Sequence, residues 1–160
     1  KHHERGRLTI RERVAKLVLV SSMTTVRNEG IFELQRAIEA LTDPVPAEFA
    51  REFQESTVYQ PLPDSFMERV VAESLKLPAR AWRAVLRGLT DVDDAAQLRT
   101  IRAPTLILYG ERDAFFPLGE QELLAALIPN AVLKVYEETG HALHWEQPER
   151  FVRDLLSFIE

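Results

Sequence analysis

One aspartate and one histidine stand out as a pair that could move a proton. Each follows a short apolar run. Thr105 to Tyr109 leads into Gly110, Glu111, Arg112 and Asp113; Ala131 to Tyr136 leads into Glu137, Glu138, Thr139, Gly140 and His141. In open α/β sheets, ligands bind just beyond the carboxyl ends of the parallel strands. An aspartate there that accepts from one imidazole nitrogen fixes the tautomer, and the other nitrogen is free to take a proton from a hydroxyl. The plainer alternatives are that Asp113 caps the helix near Pro117 and that His141 is a turn residue after glycine. The in-register placement of the two favours the pair.

The other chemically capable residues are less organised. His144 reads as a packing or hydrogen-bonding residue in the next turn, and His2 and His3 as exposed terminal residues. No spacing of the four histidines with carboxylates suggests a metal site. Asp91, Asp93 and Asp94 lack the glycine and terminal glutamate of a calcium loop and read as helix-capping acids. Ser21 and Ser22 follow a strand, but no glycine-flanked elbow exposes them as nucleophiles. There is no cysteine, which excludes thiolate catalysis and disulfides.

Three strands must position the pair. Val14–Val20, Thr105–Tyr109 and Ala131–Tyr136 are nearly continuous apolar runs, as in parallel strands covered on both faces. Leu123, Leu124, Ala126, Leu127 and Ile128 form a helical face after the acidic Glu120-Gln121-Glu122, giving a strand–helix–strand unit with a right-handed crossover. Pro148 opens a last helix with a stripe at Phe151, Val152, Leu155, Leu156, Phe158 and Ile159. The stretch 21–100 offers only helices: Ile31–Leu41, Ala47–Phe53, Ser65–Leu75 with Asp64 as cap, Pro78–Leu89, and a turn at Ala95–Leu98.

These segments resemble the C-terminal portion of α/β-hydrolases. Pro104 through Asp113 is similar to the stretch that carries the family's acid, and Gly140-His141 followed by Trp145-Glu146-Gln147-Pro148 to the stretch that carries its histidine. Arg13 to Val20 resembles the strand before the family's cap. The resemblance implies an α/β fold: a parallel three-strand remnant of the hydrolase sheet (residues 1–20 and 101–160) with a helical cap, or lid, inserted at 21–100. It implies Asp113 as acid and His141 as base, and an acyl pocket lined by Met23, Phe53, Phe66, Trp82, Phe115 and Phe116. The reaction implied is hydrolysis of an ester or similar acyl bond through a nucleophile–His–Asp triad, with a small ester-like substrate and no cofactor.

The family's nucleophile lies on a small-x-Ser-x-Gly elbow. The serines here, Ser21, Ser22, Ser56, Ser65, Ser74 and Ser157, lack those flanks. Counting back roughly 17 residues from Val14 puts the elbow before Lys1, so the chain alone is expected to be inactive. Val14–Val20 is then an open edge for an N-terminal hydrolase half or another copy. The alternatives are an aspartate nucleophile, as in haloalkane dehalogenases and epoxide hydrolases, a non-catalytic binding or regulatory protein on the same scaffold, and a split chain. A dinucleotide-binding domain is disfavoured, because no glycine-rich phosphate loop follows any strand.

Bulk properties fit these readings. The 160 residues are 46% hydrophobic and 28% charged, enough for one real core. The formal net charge of −5 argues against nucleic acid. Residues 1–16 carry a net +4 that reads as a solvated flank. With no apolar run of ~18 residues and no secretory leader, a soluble cytoplasmic protein without membrane contact is expected.

Overall fold

A computed structural model describes residues 14–26, 28–91 and 95–160. Its centre is a three-stranded parallel sheet in the order β1 (Leu17–Val20), β2 (Thr105–Gly110), β3 (Ala131–Tyr136). Leu17 pairs with Thr105, and Thr105 pairs in turn with Ala131. Every residue of β2 is buried, as its unbroken apolar run requires at the centre of a covered sheet.

The expected first strand, Val14–Val20, is shortened to Leu17–Val20. The ladder starts where Leu17 N–H donates to Pro104 O, and β2 itself begins only at Thr105, after the proline. Val14 to Lys16 therefore have no strand opposite them.

Strand alternation sorts the sheet's side chains onto two faces. Leu106 and Leu108 pack with Tyr136, Leu143 and the last helix, through Phe151 and Phe158. Ile107 packs on the opposite side with Leu124 and Ile128 of the helix that connects β2 to β3.

Between β1 and β2 come only helices: α1 (Glu29–Glu39), α2 (Ala47–Ser56), α3 (Asp64–Ser74), α4 (Ala79–Thr90) and the single turn α5 (Ala95–Leu98). After β2 comes α6 (Leu118–Leu127), and after β3 the turn α7 (Leu143–Glu146) and α8 (Pro148–Ile159). Asn28 caps α1, its side-chain oxygen accepting from Ile31 N–H at 3.0 Å.

Asp64 is not the cap expected of it. Pro63, with φ −55° and ψ 135°, ends the extended backbone one residue earlier, so Asp64 is the first helical residue, where its charge still suits the helix dipole. Asp43 performs a capping task from a distance, Oδ1 accepting from Ala79 N–H at the start of α4 at 2.7 Å. Asp91 sits at the C-terminal end of α4, while Asp93 and Asp94 lie outside the described residues, as do His2 and His3.

While α2 and α3 meet around Ala50, Met67 and Val71, helices α1 and α4 share an apolar cluster that includes Val26, Ile31, Ile38, Trp82 and Leu86. Phe116, from the loop after β2, belongs to the same cluster, and Phe115 and Met23 pack against it. The insertion is thus welded to the loop that carries Asp113. Among the described residues, no helix is long and apolar enough to cross a membrane.

Candidate active site

The strand pairing of β2 and β3 continues into the loops that follow them. Glu111 N–H donates to Tyr136 O at 2.9 Å and Arg112 N–H to Thr139 O at 2.8 Å. Arg112 also reaches the Glu138 carboxylate at 2.6 Å, a contact that holds the Glu138 carboxyl below its usual range. The two backbones approach so closely that a Cβ on Gly110 would lie 2.0 Å from Gly140 O. Glycine is therefore required at 110 for contact, not for its dihedral freedom.

This zipper delivers Asp113 to His141. His141 Nδ1 lies 2.9 Å from Asp113 Oδ2. A carboxylate only accepts, so Nδ1 carries the proton and donates it, leaving Nε2 with its lone pair. The other oxygen, Oδ1, accepts from Phe115 N–H at 2.8 Å and Phe116 N–H at 3.2 Å. The Asp113 side chain is fully buried, whereas that of His141 retains 31% of its exposure. One face of the imidazole is thus held by a buried acid, while the ring remains accessible. Phe115 and Phe116 flank it, with ring centroids 5.0 and 5.6 Å away.

The backbone around His141 is fixed from three directions. Ser21 Oγ donates to His141 O at 2.8 Å. Ala142 N–H donates to Thr57 O at 2.8 Å. Glu146 accepts from Gly140 N–H at 2.8 Å and, with its second oxygen, from Gln60 N–H at 2.7 Å. Ser21 is buried and has φ +43°, a left-handed conformation uncommon outside glycine. Its hydroxyl is engaged with a carbonyl of the histidine loop, not with the imidazole. Tyr109, whose hydroxyl donates to Phe116 O at 3.0 Å, is kept protonated by burial and by the nearby Asp113 and Glu111 charges, which raise its pKa.

A cavity of about 510 Å³ opens beside His141. Met23, Phe53, Trp82, Phe115 and Phe116, five of the six residues singled out from the sequence, line it. Phe66 does not. It packs edge-on against Trp145, with centroids 5.6 Å apart, and reaches the cavity only through that ring. His144 is at the cavity with its ring between Trp145 and Phe151. Desolvation of the ring between its aromatic neighbours, then the charge His141 can carry, lower its pKa from 6.5, although the residue as a whole is exposed, which limits the shift. Among the described residues, no cluster of three or more histidines and carboxylates could hold a metal ion.

The sequence reading missed three contributors to the loop geometry: the positioning contacts of Ser21, Thr57 and Glu146. Glu146 carried a signal, standing between His141 and Pro148. The peptide groups it meets come from distant positions and left none.

A three-layer parallel arrangement with an acid and a histidine beyond adjacent strands defines an α/β-hydrolase scaffold. The profile of the alpha/beta hydrolase family matches residues 5–154, and the chain belongs to that family. It is 29% identical over 164 residues to a 2-hydroxy-6-oxononadienedioate/2-hydroxy-6-oxononatrienedioate hydrolase of Burkholderia vietnamiensis, covering 95% of this chain and 56% of the relative. A 2-hydroxy-6-oxo-6-phenylhexa-2,4-dienoate hydrolase of Burkholderia cepacia is 31% identical over 93 residues, covering 58% of this chain and 29% of the relative. Among solved structures, an esterase from Exiguobacterium antarcticum superposes with a TM-score of 0.80 at 22% identity, covering 92% of this chain and 58% of the esterase. These matches thus span between 29% and 58% of the relatives' own lengths.

Proposed function

We propose that the protein hydrolyses an ester or similar acyl bond, with His141 as general base and then general acid, oriented by Asp113. The observation that carries this reading is the 2.9 Å contact from Nδ1 to a fully buried carboxylate, with the ring bordering an apolar cavity. In the proposed reaction, a hydroxyl nucleophile attacks the substrate carbonyl carbon while Nε2 of His141 takes its proton. The imidazolium, stabilised by Asp113, passes that proton to the departing alkoxide, which leaves as the alcohol. Water then attacks the acyl-enzyme, His141 accepts its proton and returns one to the nucleophile oxygen, and the carboxylic acid is released.

The nucleophile and the oxyanion-binding donors are proposed to come from outside these 160 residues, since no glycine-flanked elbow serine occurs within them. Helices α1 to α5 would act as the lid over the acyl site. An aspartate at the elbow position would turn the same base toward dehalogenation or epoxide opening.

The experiment is hydrolysis of short 4-nitrophenyl esters by the protein made from its complete coding sequence, beside its His141→Ala variant. A loss of roughly 10³-fold or more is expected; a variant that keeps the parent rate sinks the proposal. The 160-residue chain alone should show no burst and no turnover above free imidazole. A stoichiometric acyl-enzyme formed on it would overturn the external nucleophile.

A further inference from the structure

We propose that the cavity beside His141 takes an uncharged aryl or alkyl acyl group and rejects one that ends in a second carboxylate. The inference rests on the acyl-hydrolase reading above and adds the class of substrate. It also separates this chain from part of its kin: one named relative acts on a dioate, the other on a phenyl-substituted monoacid.

Among its described lining residues the cavity has no lysine, arginine, aspartate or glutamate. Its neutral hydroxyl donors are already committed to the protein's own carbonyls. Ser21 Oγ donates to His141 O, Thr57 Oγ1 to Gln54 O at 2.7 Å, and Ser74 Oγ to Val70 O at 3.0 Å. One N–H of Gln54 is taken by Ser74 at 2.8 Å. Among the described residues the buried indole N–H of Trp82 has no partner, and its ring packs edge-on against Phe49 and Phe53, with centroids 5.4 and 5.1 Å away. The donors that remain are the Trp82 indole N–H, the second N–H of Gln54 and the imidazole of His144, whose protonation its surroundings disfavour; none is a fixed positive charge, and neutral donors alone do not compensate the desolvation of a carboxylate.

The apolar wall extends well beyond the histidine. Ala81, Val85 and Leu89 follow one another at four-residue spacing on one face of α4 and line the cavity. Val85 is 63% exposed and Leu89 48%. The adjoining face of the same helix, at Trp82 and Leu86, is buried in the core of the insertion and forms the deeper wall of the same cavity. An apolar row left open along a cavity that begins at the base is suited to an apolar chain or ring, which would remove it from water.

The test uses the protein from its complete coding sequence and two esters of equal length, 4-nitrophenyl hexanoate and the mono-4-nitrophenyl ester of adipate. Hexanoate is expected to have the higher kcat/KM by about 100-fold or more. Val85→Lys and Leu89→Lys, at exposed positions that should leave folding intact, are expected to reduce that ratio roughly 10-fold by supplying a counter-charge. Arg27→Ala is run alongside, because Arg27 follows the lining residue Val26 and lies outside the described residues.

Binding is read separately, as displacement of neutral N-phenyl-1-naphthylamine by hexanamide and by the adipate monoamide anion. Displacement by hexanamide alone supports the inference even if neither ester is turned over, in which case only the hydrolase reading fails. Comparable turnover of the two esters, comparable displacement, adipate turnover that Arg27→Ala abolishes, or lysine variants with an unchanged ratio would each overturn it.

Discussion

Asp113 and His141 meet side chain to side chain, Oδ2 to Nδ1, at 2.9 Å across 28 residues of sequence. Asn in place of Asp113 preserves the shape but offers an N–H as well as an oxygen to the ring. The imidazole tautomer is then no longer dictated, and no charge stabilises the imidazolium. Asp113→Asn in the protein from the complete coding sequence is expected to lower kcat/KM for ester hydrolysis by roughly 10³–10⁴-fold. Circular dichroism should remain that of the parent. Parent-like rates would remove Asp113 from the proposed mechanism.

Glu146 joins Gly140, just before His141, to Gln60 in the loop between α2 and α3, one oxygen to each. Glutamine keeps only one accepting oxygen and presents an N–H₂ to the other peptide N–H. Glu146→Gln is expected to cost about 1–3 kcal/mol in urea unfolding. It should also raise proteolysis between α2 and α3. A variant with the parent midpoint and the parent digestion pattern would show that the bridge is not an effective tie.

Two glycines give opposite expectations. At Gly110 a Cβ would lie 2.0 Å from Gly140 O and 2.5 Å from Thr139 O, both backbone atoms that cannot move without shifting the histidine loop. Gly110→Ala is expected to destabilise by roughly 3 kcal/mol. Gly88, within α4, has no atom within 4 Å of the added methyl. There Gly88→Ala is expected to stabilise by about 0.5–1 kcal/mol, because the unfolded chain loses conformational freedom. Thermal unfolding of the two variants checks both signs.

The depressed pKa of His144 predicts an acid-side loss of stability. Its folded-state pKa lies below 6.5, through desolvation first and the charge on His141 second. The unfolded chain therefore binds this proton at higher pH than the folded one. The contribution is intact above the unfolded value and is lost as the pH falls through the folded one. His144→Gln should flatten the decline in urea midpoint on going from pH 7 to pH 5. An unchanged slope would show that His144 is not the group responsible.

The ladder bonds of Leu17 N–H to Pro104 O and Ser21 N–H to Leu108 O alternate along β1, which directs the peptide groups of Val18 and Val20 away from β2. Among the described residues, β1 has β2 as its only strand partner. Exchange at the Val18 and Val20 amides is expected to be fast in a monomeric 160-residue chain and slow once an N-terminal hydrolase half or a second copy pairs that edge. Fast exchange at both amides in the protein from the complete coding sequence would rule out such pairing.

Much of the fold is legible in the sequence because it depends on local pattern. Thr105–Tyr109 and Ala131–Tyr136 are apolar runs of strand length bounded by proline, glycine and asparagine, and both form strands. The helical insertion is legible from spacing and proline punctuation, with ends that shift by at most three residues. The start of β1 was not legible, since it depends on where the partner strand begins, and Pro104 sets that. The Asp64 cap failed because the proline before it already ended the extended segment.

By itself, the sequence determined which acid and which histidine stand at the same sheet edge, because residues just after parallel strands must emerge together. Only the tertiary structure decided what surrounds them. Phe66 and Phe53 are equally apolar and both lie on helices of the insertion, yet one packs on Trp145 and the other lines the cavity. Helix packing angles set that difference, and no periodicity encodes them. The same holds for Ser21, Thr57 and Glu146. Their contacts to the histidine loop span 120 residues for Ser21, while Glu146 holds Gln60 across 86. Such contacts form only when separate elements dock, because a hydrogen bond needs its two partners within about 3 Å and in line.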